Sequence, residues 1–201
     1  MEYQHQGTGW LECIEHAKTA NTWSSALPKT QKLVCDFEDE IKSVHDPKKR
    51  ANIVTPFTNA VRKLLLASGL PLDKSAKSIV SEDGYKKQCD ISFVCEQTLW
   101  IVEVKTNLDF NSLGAAVLEA MLFKHKMPDC KTMLISLYEK NINGDLVKCL
   151  SSLFGKPVFD SIHLLSSNRL DDKVDLWHEH WIMNINSMVR MLETISQKTN
   201  D

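Results

Sequence analysis

The chain turns on Asp90-Ile91-Ser92-Phe93-Val94-Cys95, then Glu96-Gln97-Thr98, then Leu99-Trp100-Ile101-Val102-Glu103-Val104-Lys105. It reads as two short apolar strands joined by a tight polar turn, with one carboxylate opening the first strand and a Glu-x-Lys closing the second. Side chains alternate faces along a strand. Asp90, Ser92 and Val94 therefore share one face, and Cys89, Ile91, Phe93 and Cys95 the other. In the second strand Ile101, Glu103 and Lys105 share one face, opposite Trp100, Val102 and Val104. If Glu96-Gln97 form a two-residue turn, Cys95 pairs with Thr98 and Asp90 falls opposite Glu103. Directly opposed Cβ atoms lie about 4.5–5.5 Å apart. Two carboxylates that close repel unless a cation sits between them, and Mg²⁺ takes oxygen ligands at about 2.0–2.1 Å. Glu-Gln lacks the Asn-Gly signal of a type I′ hairpin, and a loop one residue longer would flip the register. An edge strand with surface charges carries the same local pattern.

With 201 residues the chain has the length of one domain and can bury a substantial core. Its 43% hydrophobic and 25% charged residues are ordinary for a globular protein. No apolar run approaches the ~18 residues of a membrane span, and Met1-Glu2-Tyr3-Gln4-His5 does not open a secretory signal. The six cysteines (Cys13, Cys35, Cys89, Cys95, Cys130, Cys149) form no Cys-x-x-Cys pair, against both a zinc ribbon and a disulfide framework. An intracellular location, cytoplasmic or nuclear, is expected. The net charge of −2 lacks the basic excess common in nucleic-acid binders. A local cluster can do the same work: Arg62, Lys63, Lys74, Lys77, Lys86 and Lys87 precede the hairpin, and Lys124 and Lys126 follow it. Each of these is also an ordinary solvated surface position.

Helical spacing predicts a short helix around Trp10–Lys18, a loop to Pro28, a helix over Thr30–Val44 (Leu33, Phe37, Ile41, Val44) and a break at Asp46-Pro47. A further helix runs from Pro56 to Ser68, with Phe57, Val61, Leu64 and Leu65 on one stripe and Gly69 as its stop. Ser78–Ser81 is a first strand, and the hairpin follows. Asn111 or Ser112 caps a helix ended by Pro128. Lys131–Tyr138 is a buried strand, Asp145–Phe154 a helix, Ser161–Leu165 a strand and Val174–Ser196 a long final helix. Antiparallel strands followed by helix-crossover strands imply an α/β protein with a mixed central sheet flanked by helices.

Element order and motif together resemble the PD-(D/E)xK nuclease superfamily, the restriction-endonuclease-like fold with its αβββαβ core. The resemblance runs from about Pro56 to Tyr138. It rests on Asp90 at the start of the second core strand and Glu103-Val104-Lys105 on the third; Cys89 stands where the family usually has Pro. It implies residues 53–140 as the nuclease core, residues 1–52 as an N-terminal helical extension and 141–201 as a C-terminal α/β addition. It further implies Mg²⁺, with Mn²⁺ as a substitute, held by Asp90, Glu103 and the Val104 carbonyl. Lys105 would assist the attacking water in phosphodiester hydrolysis. Family members often draw another acid from the first core helix. Here that helix offers Asn59 in its place, with Glu38 or Glu40 on the preceding helix as alternatives. Glu119 and Phe123 have the spacing of a Gln-x-x-x-Tyr pair seen in some relatives. Lys86, Lys87, Lys124 and Lys126 are the candidate nucleic-acid contacts.

Other constellations carry less. His178 and His180 in Trp177-His178-Glu179-His180-Trp181 point apart on a helix and do not make a zinc pair. His163 and His125 read as structural, and no Gly-rich phosphate loop or Gly-x-Ser-x-Gly is present. The expected function is a metal-dependent endonuclease acting on DNA, with RNA as an alternative substrate and a homodimer as a plausible assembly. The rival is a catalytically inactive nucleic-acid- or protein-binding module of the same fold.

Overall fold

The computed structural model describes residues 15, 18, 19, 21–42, 54–80, 84, 86–139, 157–165 and 174–198. The elements are α1 (Asn21–Ser25), α2 (Pro28–Lys42), α3 (Val54–Ala67), β1 (Ser78–Val80), β2 (Lys86–Gln88), β3 (Ile91–Cys95), β4 (Thr98–Leu108), α4 (Phe110–Lys126), β5 (Lys131–Glu139), β6 (Ser161–Leu164) and α5 (Val174–Gln197). A four-stranded mixed sheet runs β3-β4-β5-β6. The β3/β4 pair is antiparallel, and β4/β5 and β5/β6 are parallel, the latter pairs needing crossover connections such as α4.

The expected hairpin register is the observed one. Cys95 pairs with Thr98 and Ile91 with Val102. Glu96 (φ 48°) and Gln97 (φ 63°) both adopt left-handed backbone, as a type I′ turn demands. Apolar residues on both sides of the hairpin outweigh the unfavourable turn residues, because a one-residue slip would move Phe93 and Val102 out of the core.

Each face of the sheet is covered differently. On one, Ile91, Phe93, Cys95, Val102, Val104, Met133 and Ile135 meet helices α2, α3 and α5 through Leu33, Val34, Phe57, Leu64, Leu65, Ile185, Met188 and Leu192. Burying one such Leu or Phe contributes about 1.5–3 kcal/mol. Phe93 and Trp100 stack with centroids 6.0 Å apart, and Lys131 lies over the Trp100 ring. On the other face α4 covers two separate apolar clusters. One joins Leu113, Ala116 and Ala120 to Leu134, and the other joins Phe123 to Cys89, Ile101 and Cys130.

Three local devices hold α3 and α4. Gly69 (φ +83°) ends α3, and the Leu70 amide bonds back to the Leu65 carbonyl at 3.2 Å, a Schellman closure with Leu70 buried. A Cβ at Gly69 would meet Ser196 Oγ at 2.7 Å, so α5 leaves no room for one. The cap of α4 is Asp109, not Asn111 or Ser112. Its carboxylate accepts from the Ser112 amide while Ser112 Oγ accepts from the Asp109 amide, each at 2.8 Å.

Several expectations need correction. Ser78–Val80 pairs with an unforeseen strand, Lys86–Gln88, in its own two-stranded sheet rather than joining the main one. The segment before Pro28 contains a helical turn, Asn21–Ser25. Cys89 packs with Ile101 under α4 rather than with Ile91 and Phe93, because the chain bends at Cys89-Asp90 and the alternation restarts at Ile91. The expected helix Asp145–Phe154, the break at Asp46-Pro47 and most of Trp10–Lys18 lie outside the described residues, as do the side chains of Phe37, Ile41 and Trp177–Trp181. Among the described residues no cysteine is in a disulfide and no helix is long and apolar enough to cross a membrane.

Two predictions follow from the packing. Glu96→Asn with Gln97→Gly should relieve two left-handed non-glycine residues and stabilise the protein by about 1 kcal/mol, read as a rise of about 2–4 °C in Tm. Burial pushes the His163 imidazole down to about 4. The unfolded chain therefore takes up a proton below pH ~6.5 that the folded protein refuses, and stability falls from there down to about pH 4. His163→Gln should flatten that acid arm, by on the order of 1–3 kcal/mol, in urea unfolding followed against pH.

Candidate active site

Glu103 and Lys105 alternate with the buried Val102 and Val104, so they emerge on the α4 face of the sheet. Their neighbours across β4/β5 are Leu134 and Ser136. Glu119, on the inner side of α4, enters the same space, which is the polar gap between the two apolar clusters beneath that helix. Asp90 sits just before β3 begins. Its Oδ2 accepts from the Val104 amide at 2.8 Å, standing in for a backbone carbonyl of the ladder. From the other side the Arg62 guanidinium of α3 donates to the Asp90 carbonyl. Asp90 is thus held from both sides, at the register position opposite Glu103.

Two ammonium groups lie among these carboxylates. Lys105 Nζ is 2.6 Å from Glu103 Oε1 and 3.8 Å from Glu119 Oε2. Lys87 Nζ, arriving from β2, is 2.8 Å from Glu119 Oε1 and 3.9 Å from Glu103 Oε1. Burial, the contact with Glu119 and the charge of Asp90 push Glu103 up to about 8, against the pull of Lys105. Burial likewise raises Asp90, although the Val104 amide and both lysines oppose it. Burial works against ionised Glu119 too, but its contacts with Glu103 and Lys87 and the charge of Lys105 hold it below the ordinary carboxylate range. Burial disfavours a charged Lys87, yet Glu119, Glu103 and Asp90 keep it above its usual value.

Such crowding of buried acids favours a divalent cation. Asp90, Glu103, Glu119 and the Val104 carbonyl are hard oxygen donors of the kind Mg²⁺ prefers. Glu119 Oε2 is buried without a hydrogen-bond partner, a lone pair available to such an ion. Among the described residues no three His, Cys, Asp or Glu side chains close into a cage by themselves.

The remaining candidates are placed as follows. Asn59, on α3, lines a cleft with Asp90 rather than with Glu103, Lys105 and Glu119. Glu38, on α2, is buried and paired with Lys18, and α2 packs on the opposite face of the sheet. The Glu40 side chain lies outside the described residues. Lys124 Nζ is 2.9 Å from Asp160 and donates to the Pro157 carbonyl at 3.1 Å, tying α4 to the segment before β6. Lys86 and Lys126 are exposed. Sequence reasoning placed Lys87 among surface contacts and gave Arg62 no link to Asp90. Neither position has a local signal, because both pairings bridge elements whose approach only the fold creates.

No sequence-family profile and no curated protein matches the chain. Among solved structures, restriction endonuclease PspGI in its complex with substrate DNA aligns over 98% of this chain and 98% of its own, at 10% identity and a TM-score of 0.52. BbvCI, in its native A2B2 tetramer, aligns over 100% of this chain and 99% of its own at 10% identity, with a TM-score of 0.37. The chain has the restriction-endonuclease-like fold.

The raised Glu103 fixes the sign of a pH effect. Between about pH 4.5 and 8 the folded protein keeps a proton there that the unfolded chain has released, so the Glu103 contribution to stability falls as pH rises. Glu119→Gln should lower the Glu103 titration, seen by carboxyl-carbon NMR, and flatten this decline in urea unfolding in EDTA.

Proposed function

We propose that this chain, with its restriction-endonuclease-like fold, is a metal-dependent endonuclease that hydrolyses phosphodiester bonds, with DNA as its substrate. The observation that carries the reading is the convergence of Asp90, Glu103 and Lys105 on one side of the β3–β4 hairpin, Lys105 Nζ being 2.6 Å from Glu103 Oε1. Asp90, Glu103 and the Val104 carbonyl would hold Mg²⁺ or Mn²⁺, with Glu119 as a further carboxylate. When bound, the ion supplies Lewis acidity toward the scissile phosphate and acidifies a water. The Lys105 ammonium orients the attacking water and offsets negative charge growing on the phosphoryl oxygens. The Val104 amide and Arg62 keep Asp90 from swinging out of line. α4 and the apolar clusters on either side exclude bulk solvent from Glu103, which strengthens each of these interactions. Cutting both strands of a duplex needs two such sites, so a homodimer is the expected active form.

The net charge of −2 favours a second reading, a module that binds without cutting. The two readings part on experiment. The full-length protein should cut plasmid DNA in Mg²⁺ or Mn²⁺, and EDTA should stop it. Asp90→Asn, Glu103→Gln and Lys105→Ala should each cost at least about 100-fold in rate with little change in Tm. Calorimetry should show Mn²⁺ binding to the wild type and its loss in Asp90→Asn. Wild-type cutting by any of the three variants refutes that residue's role. Mn²⁺ binding without cleavage of any nucleic acid would favour the module.

A further inference from the structure

Between α3 and the loop carrying Lys74, with Asp90 at one end, lies a cleft of about 630 Å³, within the usual range for small-molecule sites. One wall is α3, which presents Thr55, Thr58, Asn59 and Arg62 to it. These fall at i, i+3, i+4 and i+7, a single stripe of the helix. The opposite stripe of the same helix, Phe57, Ala60, Val61, Leu64 and Leu65, is buried in the core. The other wall is the loop carrying Lys74 together with Gln88 at the end of β2. This loop is stapled to the hairpin: Ser92 Oγ donates to Asp73 Oδ2 at 2.6 Å, and the Asp73 amide donates to the Ser92 carbonyl at 2.9 Å. The Cys89 amide bonds the Lys77 carbonyl, closing its far end.

Among the described residues the lining is therefore mostly hydroxyls, amides and two cations, with Ala76 and Cys89 between them, on built, tethered walls, and its one acid is Asp90 at the end that meets the carboxylate cluster. Such a surface matches a ligand that is anionic and rich in hydrogen-bond acceptors, and it leads to the residues proposed to cut. We infer that this cleft binds the sugar–phosphate backbone of the cleaved strand beside the scissile bond, with Arg62 and Lys74 as its phosphate contacts. The inference rests on the nuclease reading and adds where the strand runs. The phosphodiester chemistry is common to DNA and RNA, and neutralised phosphates make such binding salt-dependent.

The test uses the full-length protein in EDTA, with fluorescent single-stranded DNA, duplex DNA and single-stranded RNA followed by anisotropy over a range of salt. Lys74→Glu reverses the charge of one wall. Thr55→Glu adds a carboxylate to the other, at the first turn of α3 where an acid favours the helix. Lys32→Glu, on α2, makes the same change in net charge as Lys74→Glu away from the cleft. Lys74→Glu and Thr55→Glu should each weaken binding about tenfold, with the salt slope of Lys74→Glu smaller by about one phosphate contact. Lys32→Glu should bind like the wild type, and the best-bound probe identifies the backbone taken. Wild-type affinity and salt slope in both cleft variants would overturn the cleft while leaving the nuclease reading intact. Equal weakening by Lys32→Glu would also overturn it, as a net-charge effect alone. A wild type that binds no probe overturns it too, and one that in addition cuts nothing in Mg²⁺ overturns both.

Discussion

The bond from the Val104 amide to the Asp90 carboxylate is the constraint on which the rest of the site depends. It is made just before β3 begins, so it fixes a carboxylate at the end of the ladder. Because it ties Asp90 to a residue flanked by Glu103 and Lys105, placing the aspartate and placing the Glu-x-Lys pair become one event. The hairpin register beneath it is enforced by Phe93, Val102 and Val104, which a one-residue slip would turn out of the core.

The same geometry creates electrostatic tension. Three carboxylates and two ammoniums occupy a gap between apolar clusters, and the acids Asp90 and Glu103 are pushed toward their protonated forms by burial. Without a cation, Lys87 and Lys105 partly compensate the charge at distances of 2.6 to 3.9 Å. A site in which neutralisation is incomplete is unfavourable for folding and well suited to capturing a divalent ion. Folding stability and the proposed metal binding thus pull on the same side chains in opposite directions.

The helices outside the motif contribute through packing. α2 and α5 close the face of the sheet opposite the site, and α5 leaves no space at Gly69 for a side chain. They thereby set α3 against β3, which brings Arg62 to Asp90 and turns the polar stripe of α3 toward the loop of Lys74. The α3 segment shows how one helix can serve both tasks, with its apolar stripe in the core and its polar stripe in the cleft.

Much of this was legible in the chain itself. The alternation through Asp90–Lys105 specified two strands and which residues share a face on each, because period-two patterning is a local property; their register, and with it the shared side of Asp90, Glu103 and Lys105, followed only on a two-residue turn at Glu96-Gln97. The stripes of α3, and the ends of α4 and α5 to within a residue or two, followed from helical spacing and from Gly69 and Pro128. The third carboxylate, Glu119, could be flagged by spacing but not placed. Its approach to Lys87 and Lys105 depends on how α4 crosses the sheet. The side-sheet of β1 and β2, the bend that moves Cys89 to the other face, the Arg62 clamp and the engagement of Lys124 by Asp160 were settled by tertiary structure alone. The Arg62 and Lys124 contacts join segments far apart in sequence, and short polar strands such as Lys86–Gln88 carry no hydrophobic period to announce them. Local pattern determined which residues could share a face; only the packing of helices on the sheet decided which charges would meet.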